Sequence, residues 1–354
     1  MATGTATYLR RWADRALDEL LAELPALLIV GPRASGKTTT AARRAATTVR
    51  LDVPAQAAAF AADPDAALRG LAEPVLLDEW QEVPAVLGAV KRAVDADGRP
   101  GRFLLTGSVS APIDHRLWQG TGRLLQIAMH PMAIRELRGA VDGPAFLDRL
   151  ADGGEPPRPA DPPDLRGYVE LALRGGFPTP ALRLGPQAGR RWLEGYVDEL
   201  IKRDVPHATG RAADPLRLRR YVEAYALSSG GIADHRTIYA AAGITKVTAL
   251  AYEGLAAQLR PELAVARSRP RLHHLRSKGG RQEVGLLAEL AGQRVVGIEV
   301  KATAAPTRAD ARHLAWLRDE LGARFAAGVV LHTGPRVFRL DDGIVAAPIA
   351  ALWA

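Results

Sequence analysis

The chain has 354 residues, 47% of them hydrophobic, no cysteine and a formal net charge of +8. That length holds two or three domains with real cores, and the missing cysteines exclude disulfides, thiol nucleophiles and cysteine-bound zinc. No apolar run is long enough to cross a bilayer and no signal-peptide core opens the chain, so no membrane partner is expected and the cytoplasm is the expected compartment. Residues 1–150 hold 18 Lys and Arg against 17 Asp and Glu, and residues 151–354 hold 29 against 22, so +1 of the charge lies in the first part and +7 in the second. Any attraction to nucleic acid would therefore belong mainly to the C-terminal part. Only 6 of the 47 basic residues are Lys and Ala is abundant, which a biased source composition would also produce.

Residues 8–24 carry Leu9, Trp12, Ala16, Leu17, Leu20, Leu21 and Leu24 at helical spacing and read as an amphipathic helix. An apolar run of buried-strand length follows, then Gly31-Pro32-Arg33-Ala34-Ser35-Gly36-Lys37-Thr38, which fits G-x-x-x-x-G-K-[ST] at every position, with Thr39 next. Residues 38–46 read as a helix, so the flanks are those a phosphate-binding loop requires. Gly31 and Gly36 are expected to take backbone turns closed to other residues, so that successive N–H groups face phosphate oxygens at a helix start. Lys37 would reach the β- and γ-phosphates of a bound polyphosphate, and the Thr38 hydroxyl would ligate Mg²⁺.

A second strand is expected over 49–52, ended by Pro54, and a third over 74–79, finishing in Asp78 and Glu79. A strand that ends in two acids downstream of a phosphate loop supplies the other half of an NTP hydrolysis site. Asp78 would hold Mg²⁺ through its water shell, and Glu79 would orient and deprotonate the attacking water. The fourth strand, over 102–108, ends at what would be the carboxyl edge of a parallel sheet, where Ser108, or failing it Thr106, would touch the γ-phosphate or the water; a Ser/Thr turn fits equally well. Arg123, just before a fifth strand over 124–127, and Arg135 are candidates to stabilise transition-state charge in cis or across a subunit interface, and each also reads as a solvated arginine.

These segments, with Gly175-Gly176-Phe177-Pro178 further on, resemble the bacterial and archaeal AAA-type ATPases known simply as ATP-binding proteins. The resemblance spans nearly the whole chain and implies an α/β fold in three parts: a P-loop AAA+ parallel-sheet domain, a helical, winged-helix-like segment, and a small α/β tail similar to restriction-endonuclease folds. The expected divisions are 1–140 for the ATPase domain, 141–163 for a Pro/Gly-rich linker with one short helix near Phe146, 164–259 for the helical segment and 260–354 for the tail.

Within the helical segment, residues 165–173 and 189–205 have apolar residues at three and four spacing, with Trp192, Leu193, Tyr196, Val197 and Leu200 on one face. Residues 216–259 fit a helix-turn-helix that presents Lys246 and Thr248, and fit better a helical lid on the nucleotide domain, because one Lys is thin evidence for groove contact. The resembled family has a further stretch between the equivalents of Tyr252-Glu253-Gly254-Leu255 and of residues 256–263. Here the two ends abut, so a shortened winged-helix region with a helix running through 248–259 is expected.

Residues 260–281 hold Arg260, Arg267, Arg269, Arg271, Arg276, Lys278 and Arg281 against the single acid Glu262, the densest basic run in the chain. A phosphate-backbone contact and a solvated face are the two readings. His273 and His274 have no third ligand at metal-binding spacing. The tail then reads strand (283–290), strand (294–301), helix (307–321), strand (326–332), and short strands near Val337 and Ile344.

Glu299 and Lys301 share one strand face and resemble the Glu-x-Lys half of a restriction-endonuclease-like site, which also needs an Asp from the preceding strand. Gly285 stands at that position, Gln258 stands where relatives have a Glu, and Glu283 is the nearby substitute. The tail is therefore expected to be degenerate and not to cut DNA. The expected activity is Mg²⁺-dependent ATP hydrolysis that drives or gates a conformational change, with the C-terminal part engaging DNA non-specifically or a partner protein. An ATP-gated binding module with negligible turnover and an ATP-controlled nuclease are the alternatives.

Overall fold

Parallel strands buried on both faces read as continuous apolar runs, and the first half of the chain builds a sheet from such runs. The computed structural model describes residues 8–108, 123–204, 260–276 apart from 262 and 264, and 282–354. Helix α1 (Trp12–Leu21) leads into β1 (Ala26–Gly31), α2 (Lys37–Ala42) and β2 (Thr47–Arg50). Next come α3 (Pro54–Ala62) and α4 (Pro64–Leu68), both opened by a proline in the first turn, then β3 (Val75–Asp78) and α5 (Val86–Ala96). Strands β4 (Phe103–Ser108) and β5 (Leu125–Ala128) complete an all-parallel sheet in the order β2-β3-β4-β1-β5.

Alternation sends Leu27, Ile29, Leu76 and Leu104 to one face, against Leu17 of α1 and Ala41 of α2. Leu28, Leu77 and Leu105 face the other way, onto Val86, Leu87 and Val90 of α5. Each such side chain contributes about 1.5–3 kcal/mol on burial, so these central strands are a rigid frame for whatever their ends carry.

Short helices α6 (Ile134–Leu137) and α7 (Phe146–Ala151) follow, then α8 (Leu165–Arg174), α9 (Pro178–Leu182) and α10 (Pro186–Glu199), which continues into a π-turn at Leu200–Asp204. The stretch expected as a linker contains α7, and α7 is no spacer. Its Phe146, Leu147 and Leu150 are buried in the core of a second sheet, beside Leu352 and Trp353. Asp148, also buried, accepts hydrogen bonds from Arg267 N at 2.8 Å, Ser268 N at 2.8 Å and Ser268 Oγ at 2.6 Å, and so ties α7 to the chain entering that sheet.

The second sheet has six strands in the order β10-β11-β9-β8-β7-β6 and is mixed. Its strands are β6 (Arg271–Arg276), β7 (Glu283–Glu289), β8 (Val295–Lys301), β9 (Phe325–His332), β10 (Phe338–Asp341) and β11 (Ile344–Pro348), with α11 (Arg312–Leu321) between β8 and β9. Leu314 and Leu317 of α11 fill one face, and α7 covers the other.

Part of the basic run is an edge strand. In β6, Arg271 pairs in register with Glu289 and Arg276 with Glu283. His273 lies 3.3 Å from Glu289, and Arg276 lies 3.7 Å from Glu283. Charged side chains on an edge strand discourage further strand pairing, and the carboxylates opposite offset part of the positive charge. The segment expected as a helix-turn-helix or lid, including Lys246, Thr248 and the helix over 248–259, lies outside the described residues, as do Gln258, Lys278 and Arg281. Among the described residues no helix is long and apolar enough to cross a membrane.

Candidate nucleotide site

The strand order gathers the expected residues at one carboxyl edge. Strand β4 lies between β1 and β3, so the phosphate loop and the two acids flank it. The register pairs Gly31 with Ser108 and Asp78 with Thr106, so β1 and β4 end level and β3 ends two residues short of them, on the same edge. Thr38, at the start of α2, donates from Oγ1 to Asp78 Oδ1 at 2.8 Å, and Thr106 Oγ1 donates to the same oxygen. The backbone of Ser108 ends β4 directly beside Gly31.

Within the loop, Gly36 has φ of 99° and Ala34 has φ of 58°. Gly36 therefore fills the left-handed role expected of it. Gly31 does not; it is required by a close approach, because a Cβ there would collide with the carbonyl of Met129 just beyond β5. The second left-handed position belongs to Ala34, which no glycine in the sequence announced.

Lys37 is buried, and Nζ donates to the carbonyls of Gly31 and Pro32, both at 3.0 Å. Burial holds its ammonium below the ordinary lysine value, with Glu79 and Asp78 pulling it back up and Arg33 lowering it. Polyphosphate oxygens over the loop would favour its charged form. Glu79 sits in the left-handed region with φ of 55°, and its Oε2 accepts from Gln81 Nε2 at 2.5 Å.

The loop is braced by Arg11, which is 4% exposed. Its guanidinium donates to Ser35 O at 3.0 Å, to His130 O at 2.8 Å and to Glu136 Oε1 at 3.0 Å. Glu136, 1% exposed, also accepts from Trp12 N and Ala133 N, each at 2.8 Å.

Over the loop lies a cleft of about 540 Å³ whose far wall comes from later in the chain. Tyr8, Leu9, Gly36, Lys37, Thr38, Thr39 and Glu79 line one side, and Met132, Pro178, Leu182 and Arg183 the other. The Gly-Gly-Phe-Pro segment explains how that wall is set. Gly176 O accepts from Met132 N at 2.6 Å, a Cβ on Gly176 would collide with Met132, and Phe177 packs on Tyr196 with ring centroids 4.6 Å apart. Tyr8 and Arg183 were not singled out in the sequence; both line this cleft from distant parts of the chain, and no local periodicity connects them.

The arginine candidates lie elsewhere. Arg123 is ion-paired with Asp95 on α5. Arg135 is buried, donates to Ala140 O and Pro144 O at 2.9 Å, and stacks over Trp12 at 5.0 Å. Neither lines the cleft; among the described residues the arginines that do are Arg11, Arg33 and Arg183.

In the second sheet, Glu299 is buried, accepts from Gly285 N at 3.3 Å and lies 3.5 Å from Lys301 Nζ. Glu283 lies 3.6 Å from His274 and pairs with Arg276. Among the described residues no cluster of three or more His, Asp or Glu is arranged to hold a metal ion.

Three family models match the chain: an AAA domain over residues 23–138, a domain of unknown function (DUF8612) over 165–260 and another (DUF4143) over 251–352. Two uncharacterized proteins, from Mycobacterium bovis and Mycobacterium tuberculosis, are each 28% identical over 216 residues, 58% of this chain and 43% of theirs. The match thus spans less than half the length of these relatives. A Walker-type ATPase of Pyrococcus abyssi is similar with a TM-score of 0.35 and 16% identity, over 69% of this chain and 88% of that one. The chain therefore joins an AAA domain at its N-terminus to a DUF4143 domain at its C-terminus, the architecture of the bacterial and archaeal AAA-type ATP-binding proteins that its motifs resemble.

Proposed function

We propose that the protein binds ATP in the cleft between the phosphate loop and α9 and hydrolyses it with Mg²⁺. One observation carries this: Thr38, Asp78, Glu79 and Lys37 meet at a single sheet edge under that cleft. Thr38 Oγ1 and Asp78 Oδ1, 2.8 Å apart, are oxygen donors of the kind Mg²⁺ takes, so the residues present fit the ion. When bound, Mg²⁺ would neutralise charge on the β- and γ-phosphates.

The loop N–H groups and Lys37 hold the polyphosphate, and α9 excludes bulk water from above. Glu79 accepts a proton from the water that attacks the γ-phosphorus, and the bond to the bridging oxygen of ADP breaks. The pairing of Arg123 and Arg135 with other parts of the chain favours Arg33 or Arg183 as the cation nearest the transferred group.

The turnover would drive or gate a change in the C-terminal part, which engages a partner protein or the phosphate backbone of DNA. The second sheet serves structure or binding and not DNA cleavage, as Gly285 supplies no carboxylate beside Glu299. Release of phosphate from ATP by the full chain, measured with Mg²⁺ and with or without duplex DNA, tests both parts. Turnover that duplex DNA accelerates supports the nucleic-acid role, and tight ATP binding without phosphate release would favour the gated binding module.

A further inference from the structure

Glu79 can act as a base only if one carboxylate oxygen is presented to a water over the γ-phosphate, yet a glutamate side chain has several rotamers and loses up to about 2 kcal/mol of freedom when fixed. The chain after β3 addresses this. Residues Trp80–Glu82 form a 3-10 turn, closed by Glu82 N to Glu79 O at 3.0 Å and Val83 N to Trp80 O at 3.1 Å. With Glu79 in the left-handed region, the turn folds the side chain of Gln81 back onto the Glu79 carboxylate, where Nε2 donates to Oε2 at 2.5 Å. Only the donor end of an amide can face a carboxylate, so this contact also fixes which way the amide points.

The turn is seated on β4. Trp80 is buried in the core of the first sheet, and the amide of Gln81 lies over Gly107. A Cβ at Gly107 would stand 2.5 Å from Trp80 Nε1 and 2.9 Å from Gln81 Oε1, so the slot exists only because residue 107 has no side chain. Gln81 Oε1 is buried there with no hydrogen-bond partner among the described residues, so the contact to Glu79 is not a by-product of satisfying both ends of the amide. The arrangement orients Glu79 through a neutral amide.

We propose that Gln81 is a positioning residue for ATP hydrolysis, holding Oε2 of Glu79 so that Oε1 is left for the attacking water. This rests on the assignment of Glu79 as the base. The clamp predicts why Leu-Leu-Thr-Gly-Ser and Asp-Glu-Trp-Gln occur together in one chain: the glycine of the first makes room for the glutamine of the second.

The test measures kcat, KM and the pH profile of kcat for wild type, Gln81→Ala, Gln81→Glu and Gly107→Ala, with thermal unfolding to confirm that each is folded. Gln81→Ala is expected to lower kcat by about 10–100-fold with KM within about twofold, because the loop that binds ATP is untouched. Gln81→Glu sets a second carboxylate beside Glu79 and is expected to move the acidic limb of the profile to higher pH, a readout that a packing role would leave in place. Gly107→Ala, which pushes the turn off β4 without altering Gln81, is expected to lower kcat with ATP binding retained. Wild-type kcat and an unmoved acidic limb in both Gln81 variants would overturn the clamp and leave Glu79 as the base. Wild-type turnover that survives Glu79→Gln would instead remove the base assignment, and the clamp with it.

Discussion

Arg11→Ala is the sharpest structural perturbation of the phosphate loop that leaves the loop sequence intact. Arg11 and Glu136 are 4% and 1% exposed, and the substitution strands the carboxylate in the interior while removing the donors to Ser35 O and His130 O. Breaking a buried pair from one side costs about 3–5 kcal/mol, which for a domain of about 150–250 residues lowers Tm by about 6–20 °C. Arg15→Ala is the control: its pair with Glu19 is 37% and 58% exposed and contributes less than about 1 kcal/mol. Differential scanning fluorimetry without nucleotide, followed by titration with a fluorescent ATP analogue, separates the two effects. The double variant Arg11→Met/Glu136→Leu removes the stranded charge but takes the side-chain partners from Trp12 N, Ala133 N, Ser35 O and His130 O, so it should recover only part of the stability and bind ATP more weakly. A Tm for Arg11→Ala equal to that of Arg15→Ala would refute the brace.

Lys37→Ala should weaken ATP binding by about 100-fold or more, since a polyphosphate loses its main charge-assisted donor; retained tight binding of a fluorescent analogue would displace the site. His332 is fully buried and its Nδ1 accepts from Gly334 N at 3.0 Å. Burial depresses its pKa, with a backbone contact to Arg336 opposing. Its neutral form is therefore favoured by folding, and the stability of the second sheet should be full above about pH 6.5 and fall as pH drops through the depressed folded value, by about 1.4 kcal/mol per unit at most. Chemical denaturation at pH 7.5 and 5 should show the loss in wild type and less of it in His332→Leu; equal losses would assign it elsewhere. If the full chain binds duplex DNA, affinity should fall steeply with salt and show no sequence preference, and a flat salt response would contradict a backbone contact. Supercoiled plasmid incubated with protein, Mg²⁺ and ATP should stay intact; nicking that Glu299→Ala abolishes would restore the nuclease.

The features most legible in the sequence are those set by neighbours along the chain. The buried runs of β1, β3 and β4 are apolar throughout because both faces of the sheet are covered, and the phosphate loop is a contiguous motif whose residues meet over one strand end. Spacing also located β7, β8, β9 and α11 to within a few residues. What periodicity could not reveal depends on distant segments. Gly31 is small because Met129 O approaches it, not because its φ is unusual. Arg135 resembles a free arginine in one dimension and is spent on two carbonyls and the Trp12 ring in three. The Pro/Gly-rich stretch suggests a spacer, yet Phe146, Leu147 and Leu150 lie close enough in sequence to bury one helical face in a sheet whose strands come much later in the chain, from Arg271 onward. The basic run carries its acids on the neighbouring strand, so its charge in the folded state is smaller than its composition suggests.

The most direct test of the proposed hydrolysis is the Mg²⁺-dependent release of phosphate from ATP by wild type and Glu79→Gln, with binding of a fluorescent ATP analogue measured on the same preparations. Glutamine keeps the shape and accepts from Gln81 but takes no proton. Wild type is expected to turn over, and Glu79→Gln to bind the nucleotide equally well with phosphate release lowered by about 10²–10⁴-fold. Equal phosphate release by the two proteins would contradict the assignment of Glu79 as the base.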